Sequence, residues 1–215
     1  MAKWLIFGAA RGTGAELLHF AVKHQQPVVI MVRKLEDAER LAAMNNVQVF
    51  VGDACDTRSV IQACQAAGPD AVIISTIGGH HDYLAHRNII DCAELTGISQ
   101  MLMVTSLGCG DSWPTLSERA RQAFGQAVRE KSLAESWLQT SRLAWCIIRP
   151  GGLLNGEATG KGQLLQNREV HGLIRRADVA LTVISLLENP LDNQIYSLVE
   201  PGLTPENKPV SGETK

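Results

Sequence analysis

The run Gly8-Ala9-Ala10-Arg11-Gly12-Thr13-Gly14 stands where an apolar stretch, Trp4–Phe7, meets the start of a helical pattern, Ala15-Glu16-Leu17-Leu18. A strand, a glycine turn and a helix in that order make an anion cradle. Glycine permits the tight turn and lets backbone approach a phosphate, and the positive end of the helix then faces the charge. The ligand for such a unit is a dinucleotide, with Gly8, Ala10, Arg11, Gly12, Thr13 and Gly14 around its pyrophosphate. The spacing is G-x-x-x-G-x-G rather than G-x-G-x-x-G, and no Gly-Lys-Ser/Thr follows, which excludes a P-loop.

The second apolar stretch ends in Val32-Arg33-Lys34. A protein that takes NAD(H) places an acid here to hold the ribose 2′-hydroxyl. Two bases stand here instead. Arg33 can pair with a 2′-phosphate, with Lys34 beside it and Arg11 closing from the other side, so NADP(H) is expected over NAD(H). The plain alternative is that Glu36 and Asp37, just downstream, neutralise both bases. Later stretches end in Gly52-Asp53-Ala54, whose carboxylate can reach an adenine amino group, and in Thr76-Ile77-Gly78-Gly79, whose small residues let backbone lie against the ligand.

Bringing these segments together requires a parallel sheet. Short apolar runs at Trp4–Phe7, Val28–Val32, Val47–Val51, Ala71–Ser75, Met101–Thr105 and Trp145–Ile148 alternate with helix-length segments such as Gly14–His24 and Ser59–Ala67. The runs are nearly continuous, as in strands buried on both faces. The fold class predicted is α/β, a Rossmann-type doubly wound parallel sheet with helices on both faces. After Arg149-Pro150 the pattern loosens into a glycine-rich stretch, followed by a helix at Asp178–Glu188 and a strand at Gln194–Val199. Residues 1–200 are expected to form one nucleotide-binding domain with a small C-terminal substrate region, and 201–215 a polar, flexible tail.

The bulk properties narrow the function. A chain of 215 residues with 45% hydrophobic and 20% charged residues suits one globular domain. A net charge of −2 gives no broad basic field, so neither nucleic acid nor an anionic membrane is an expected partner. The five cysteines, Cys55, Cys64, Cys92, Cys109 and Cys146, lack paired spacing, which argues against disulfides and against a metal site. The N-terminal apolar run is too short for a signal peptide or a membrane span, and a cytoplasmic location is expected.

On these residues the chain resembles the short-chain dehydrogenase/reductase superfamily, in its atypical NAD(P)H-binding branch, and within it NmrA-like and flavin/biliverdin-reductase-like proteins. The resemblance rests on the glycine turn, Gly52-Asp53, Ser106 after the fifth strand, Lys131, Arg149-Pro150-Gly151 and the stretch Ile174–Ala180. It implies cofactor contacts at Pro150 and Gly151. It also implies that Ser106 bonds substrate or nicotinamide carboxamide and that Lys131 holds the nicotinamide ribose, both as candidate catalytic residues. The superfamily places a tyrosine four residues before that lysine as general acid. Here the position is Ala127, and the only tyrosines, Tyr83 and Tyr196, lie outside the motif.

Each candidate also has a plain structural reading. Lys131 can pair with Glu135 at i+4, and Ser106 can cap a turn. His80 and His81 follow the Gly78-Gly79 turn as a proton donor near neutral pH or as loop imidazoles in water. Cys109, between glycines, reads as an exposed loop thiol without a partner. Trp113 and Trp145 can stack on a planar ligand, although Trp145 reads as core. A loop over Asp111–Arg121 could cover a substrate.

A reductase suits these features. A flavin, quinone or tetrapyrrole takes hydride on its ring system and its proton from water, so a missing tyrosine is no obstacle. The expected function is NADPH-dependent hydride transfer to a small aromatic acceptor of this kind. The alternatives are a non-catalytic NADP(H)-binding sensor and, with less room after Arg149, an epimerase or dehydratase. Whether the chain is a monomer or a homodimer stays open.

Overall fold

The computed structural model describes residues 2–204. Residues 205–215, most of the tail expected from Pro201 onward, lie outside the described residues.

Eight strands form the central sheet: β1 (Trp4–Phe7), β2 (Val28–Val32), β3 (Val47–Val51), β4 (Val72–Ser75), β5 (Gln100–Val104), β6 (Ala144–Pro150), β8 (Gln163–Leu165) and β10 (Gln194–Val199). Their spatial order is β3-β2-β1-β4-β5-β6-β10-β8. All neighbouring pairs are parallel except β10 with β8. The first six strands reproduce the doubly wound order, with its reversal between β1 and β4. A separate parallel pair joins β7 (Gly152–Leu154) to β9 (Leu173–Arg175).

Alternation along β1 shows how the sheet divides two cores. Trp4 and Ile6 face α1 (Gly12–Lys23), α2 (Leu35–Ala42) and α6 (Arg176–Leu186), where Leu17, Leu18, Leu41 and Val183 are buried. Leu5 and Phe7 face α3 (Thr57–Ala67), α4 (Asp82–Thr96) and α5 (Glu118–Gln139), through Val60, Ile89, Ile90 and Leu138. Period-two alternation with both faces apolar requires helices on each side. Two helix starts are capped: Asp56 accepts from the Ser59 amide at 2.9 Å, and Ser117 from Ala120 at 3.2 Å.

Several expectations change. β3 is an edge strand, half-exposed along its length, so its apolar run is not buried on both faces. α1 starts at Gly12, two residues earlier than expected, and α6 spans Arg176–Leu186. The stretch after β6, read as irregular, contains β7, β8 and β9. The segment expected as a loop over Asp111–Arg121 is a 3₁₀ helix at Gly110–Thr115 followed directly by α5. No helix among the described residues is long and apolar enough to cross a membrane.

Candidate functional site

At the carboxyl ends of β1, β2, β3 and β4 a cleft of about 650 Å³ opens. Among the residues singled out from sequence, Gly8, Ala10, Arg11, Arg33, Lys34, Asp53, Ala54, Thr76, Ile77 and Gly78 line it, together with His80 and His81. Four strand-end segments, distant in sequence, thus meet where an open α/β sheet takes its ligand. The cleft wall also includes Met31, Asp37 and Cys55, which sequence reasoning did not assign to it.

The glycine turn is closed by contact. A Cβ on Gly14 would lie 2.2 Å from the Gly8 carbonyl oxygen, and one on Gly8, at φ 91°, 2.6 Å from Thr76 Oγ1. Only glycine lets β1 turn into α1 while passing the end of β4. α1 itself has no acid in its first turn and no side-chain cap from Arg11. Its amide end therefore retains donors and positive potential for an anion. Thr13 and Gly14 are buried beneath the turn, while Gly12 is exposed at the helix start. The turn, the uncapped helix end and the bases beyond β2 suit a phosphate-bearing dinucleotide.

Arg33 and Lys34 are exposed at the end of β2, and neither pairs with a carboxylate among the described residues. Asp37, one of the two acids that were candidates to neutralise them, pairs with Arg40 at 3.1 Å. Asp53 is also exposed, and its Oδ1 accepts from the Cys55 amide at 2.8 Å.

Lys131 does not pair with Glu135. Its Nζ donates to Asp82 Oδ2 at 2.7 Å and to the Ile77 carbonyl at 2.8 Å. Glu135, only 1% exposed, instead holds the buried Arg149 through contacts of 3.0 and 2.7 Å and accepts from Thr105 Oγ1 at 2.6 Å. The Arg149 guanidinium, 4% exposed, is buried more deeply than the Lys131 ammonium at 12%, and its greater need of a carboxylate wins Glu135. Asp111 adds a second partner to Arg149 at 2.6 Å. These two carboxylates outweigh burial and hold the guanidinium pKa above its ordinary value.

Asp82 joins a buried chain that sequence reasoning missed. His86 Nδ1 lies 2.9 Å from Asp82 Oδ1 and 2.9 Å from the Asp82 carbonyl, and His86 Nε2 lies 2.8 Å from Ser75 Oγ. The Asp82/His86 spacing on one helix was the available signal. Burial alone would raise the Asp82 carboxyl, but His86 and the Lys131 ammonium outweigh it and hold it below the usual range. Through Ile77, this chain fixes the β4–α4 loop that forms one wall of the cleft. Lys131 therefore meets the cleft wall from behind.

Ser106, Lys131, Pro150 and Gly151 do not line the cleft. Ser106 is half-buried and its hydroxyl donates to the Leu107 carbonyl at 3.1 Å. Pro150 and Gly151 are buried at the end of β6. Ala127 is exposed on α5. Tyr83 packs edge-on against Trp137, and the Tyr196 hydroxyl donates to Asp192, which pushes its pKa up to about 12. Cys109 is fully buried, contrary to the exposed loop expected, and burial pushes its thiol up to about 12. Trp145 is half-buried and packs against the core, and the guanidinium groups of Arg121 and Arg129 lie 5.6 and 5.8 Å from the Trp113 ring centre.

Known proteins share this fold. The solved structure of ChuY from Escherichia coli O157:H7, described as an anaerobillin reductase, is 61% identical, with a TM-score of 0.92 over 94% of this chain and 99% of that one. The uncharacterized sugar epimerase YhfK of Bacillus subtilis is 30% identical, covering 94% of this chain and 96% of that protein. Sanguinarine reductase of Eschscholzia californica is 32% identical across 54% of this chain and 44% of its own length. The family described as NAD(P)H-binding matches residues 8–190. The chain belongs to this NAD(P)H-binding family.

Proposed function

We propose that the chain is an NADPH-dependent reductase that delivers hydride to a conjugated acceptor of the open-chain tetrapyrrole class. The observation that carries this reading is the 61% identity to ChuY over nearly the whole of both chains. NADPH, when bound, supplies the hydride.

The chain's own residues supply placement. Gly8, Gly14 and the amide end of α1 take the phosphates, Arg33 and Lys34 the 2′-phosphate, and Asp53 the adenine edge. The Asp82–Lys131 link keeps the Ile77–Gly78 backbone in position against the nucleotide. No tyrosine lines the cleft among the described residues, which suits an acceptor that takes its proton from solvent or from His80 or His81 at the cleft wall. Holding the two reactants in register supplies much of the acceleration. Hydride delivery also fits the region after β6 better than epimerisation of a nucleotide-linked sugar, because among the described residues β8 and β10 extend the central sheet rather than building a separate substrate unit.

The test is NADPH oxidation by the purified chain, with anaerobilin, biliverdin, FMN and a quinone offered separately. Turnover with a tetrapyrrole and little with FMN or quinone is expected. Tight NADPH binding without oxidation by any acceptor would replace this reading with that of a nucleotide sensor. Arg33→Ala should weaken NADPH about ten- to hundredfold while leaving NADH nearly unchanged, the loss of one charge-assisted phosphate contact. Equal weakening of both would mean that Arg33 does not meet the 2′-phosphate.

A further inference from the structure

We propose that Arg176, the first residue of α6, is a cofactor ligand that grips the dinucleotide pyrophosphate from beside the glycine turn. This rests on the nucleotide placement proposed above and adds a residue that the glycine motif does not contain.

α1 and α6 lie on the same face of the sheet and share one core, through Leu17, Leu18, Val179 and Val183. The arrangement brings Arg176, at the start of α6, beside the start of α1. A Cβ on Gly12 would lie 3.3 Å from Arg176 Nε and 3.5 Å from its Cδ. The guanidinium therefore stands where a side chain at the first residue of α1 would touch it, beside an amide end that carries neither an acid in its first turn nor a side-chain cap.

The partners of Arg176 point the same way. Its Nη1 donates to Asn155 Oδ1 at 2.9 Å and to the Leu153 carbonyl at 3.3 Å, both neutral. It pairs with no carboxylate among the described residues. A guanidinium aimed by neutral acceptors keeps its full charge. Here it is set beside a helix end that already favours an anion, an arrangement that repels itself until an anion arrives. Arg149 shows the contrast: a structural arginine in this fold, it is surrounded by Glu135 and Asp111. A diphosphate reached by both Arg176 and the α1 amides would satisfy both.

Gly12 has a consequence in the same geometry. With φ at 57° and the arginine against it, it leaves the guanidinium room beside the turn. The loop carrying Asn155 is itself anchored, because the buried Asp178 accepts from the Thr159 amide at 2.9 Å and from Gly160 at 2.7 Å. Arg176 is thus held from behind by a fixed loop.

The test measures the binding of NADPH, NADH and adenosine 2′-monophosphate to the wild-type chain, Arg176→Gln, Arg176→Met and Arg33→Ala. The monophosphate keeps the adenosine and the 2′-phosphate but has no pyrophosphate. Either Arg176 variant should weaken NADPH and NADH by the same factor, about tenfold or more, and leave the monophosphate unchanged. Arg33→Ala should lose the monophosphate and NADPH but spare NADH. Retained monophosphate binding reports a folded adenosine half, and the two substitutions guard against one of them failing to fold. Wild-type affinity for NADPH in either folded Arg176 variant would overturn the assignment. So would a loss of the monophosphate in parallel with NADPH. If the wild-type chain bound neither dinucleotide, the cofactor site would fall, and the assignment of Arg176 with it.

Discussion

Asp82 is 1% exposed and touches two potential cations, Lys131 and His86. A carboxylate so placed is costly unless paired, and removing one partner of a buried pair costs about 3 kcal/mol or more. Asp82→Asn should therefore lower the free energy of unfolding by about 3 kcal/mol at neutral pH, read by urea denaturation. The pH dependence follows from the direction of its shift. The folded pKa lies below the unfolded value of about 3.9, so the carboxylate's contribution is complete above about pH 4. It disappears as the pH falls through the lowered folded value. The gap in stability between wild type and Asp82→Asn should close below pH 4. A gap that stays constant into strong acid would show that the carboxylate's charge is not its source.

At the scale of elements, the glycine turn separates residues that look alike in sequence. Gly8, Gly12 and Gly14 form one motif, yet the room beside them differs. Gly14→Ala would force a methyl to within 2.2 Å of a backbone carbonyl, and the atoms beside Gly12 are the flexible end of an arginine at 3.3 Å. Gly14→Ala should abolish NADPH binding and lower the thermal midpoint markedly. Gly12→Ala, at φ 57°, should cost only about 1 kcal/mol of stability. Equal effects in calorimetry would contradict this geometry. The turn was legible because its signal is local, a strand followed at once by glycines and a helix. The strands β1, β2, β3 and β10 were legible to the residue, because short apolar runs between turns have few other uses. The link from Lys131 to Asp82 was not, since it spans 49 residues and depends on how α4 packs against α5. The i+4 pair with Glu135 was visible in sequence, but the buried Arg149 on β6 claimed that carboxylate. The stretch Ile174–Ala180 was singled out, but the approach of its Arg176 to Gly12 was not legible, because α6 meets α1 only once the sheet has formed. Cys109 misled because its flanking glycines suggest exposure, whereas the 3₁₀ helix folds back over it.

For the molecule as a whole, the five thiols report on the closed sheet and on the cleft at once. Cys64, Cys92, Cys109 and Cys146 are buried. Burial pushes them up to about 12, 11, 12 and 12 respectively. Alkylation requires both access and thiolate, so at neutral pH these four should stay unmodified until the domain unfolds. Cys55 is the exposed exception and lies on the wall of the cleft, which Asp53 and Arg33 also line. Partial burial and the Asp53 carboxylate raise its pKa too, so its reaction should be slow, and faster at higher pH. Iodoacetamide followed by mass spectrometry should therefore find one adduct on the native chain and five after denaturation. NADPH should protect Cys55, because the adenosine half lies beside Asp53 in the proposed pose. Rapid modification of two or more cysteines in the native chain would mean that part of the sheet opens locally. Labelling of Cys55 at the same rate with saturating NADPH would place the adenine elsewhere and detach Asp53 from the nucleotide site.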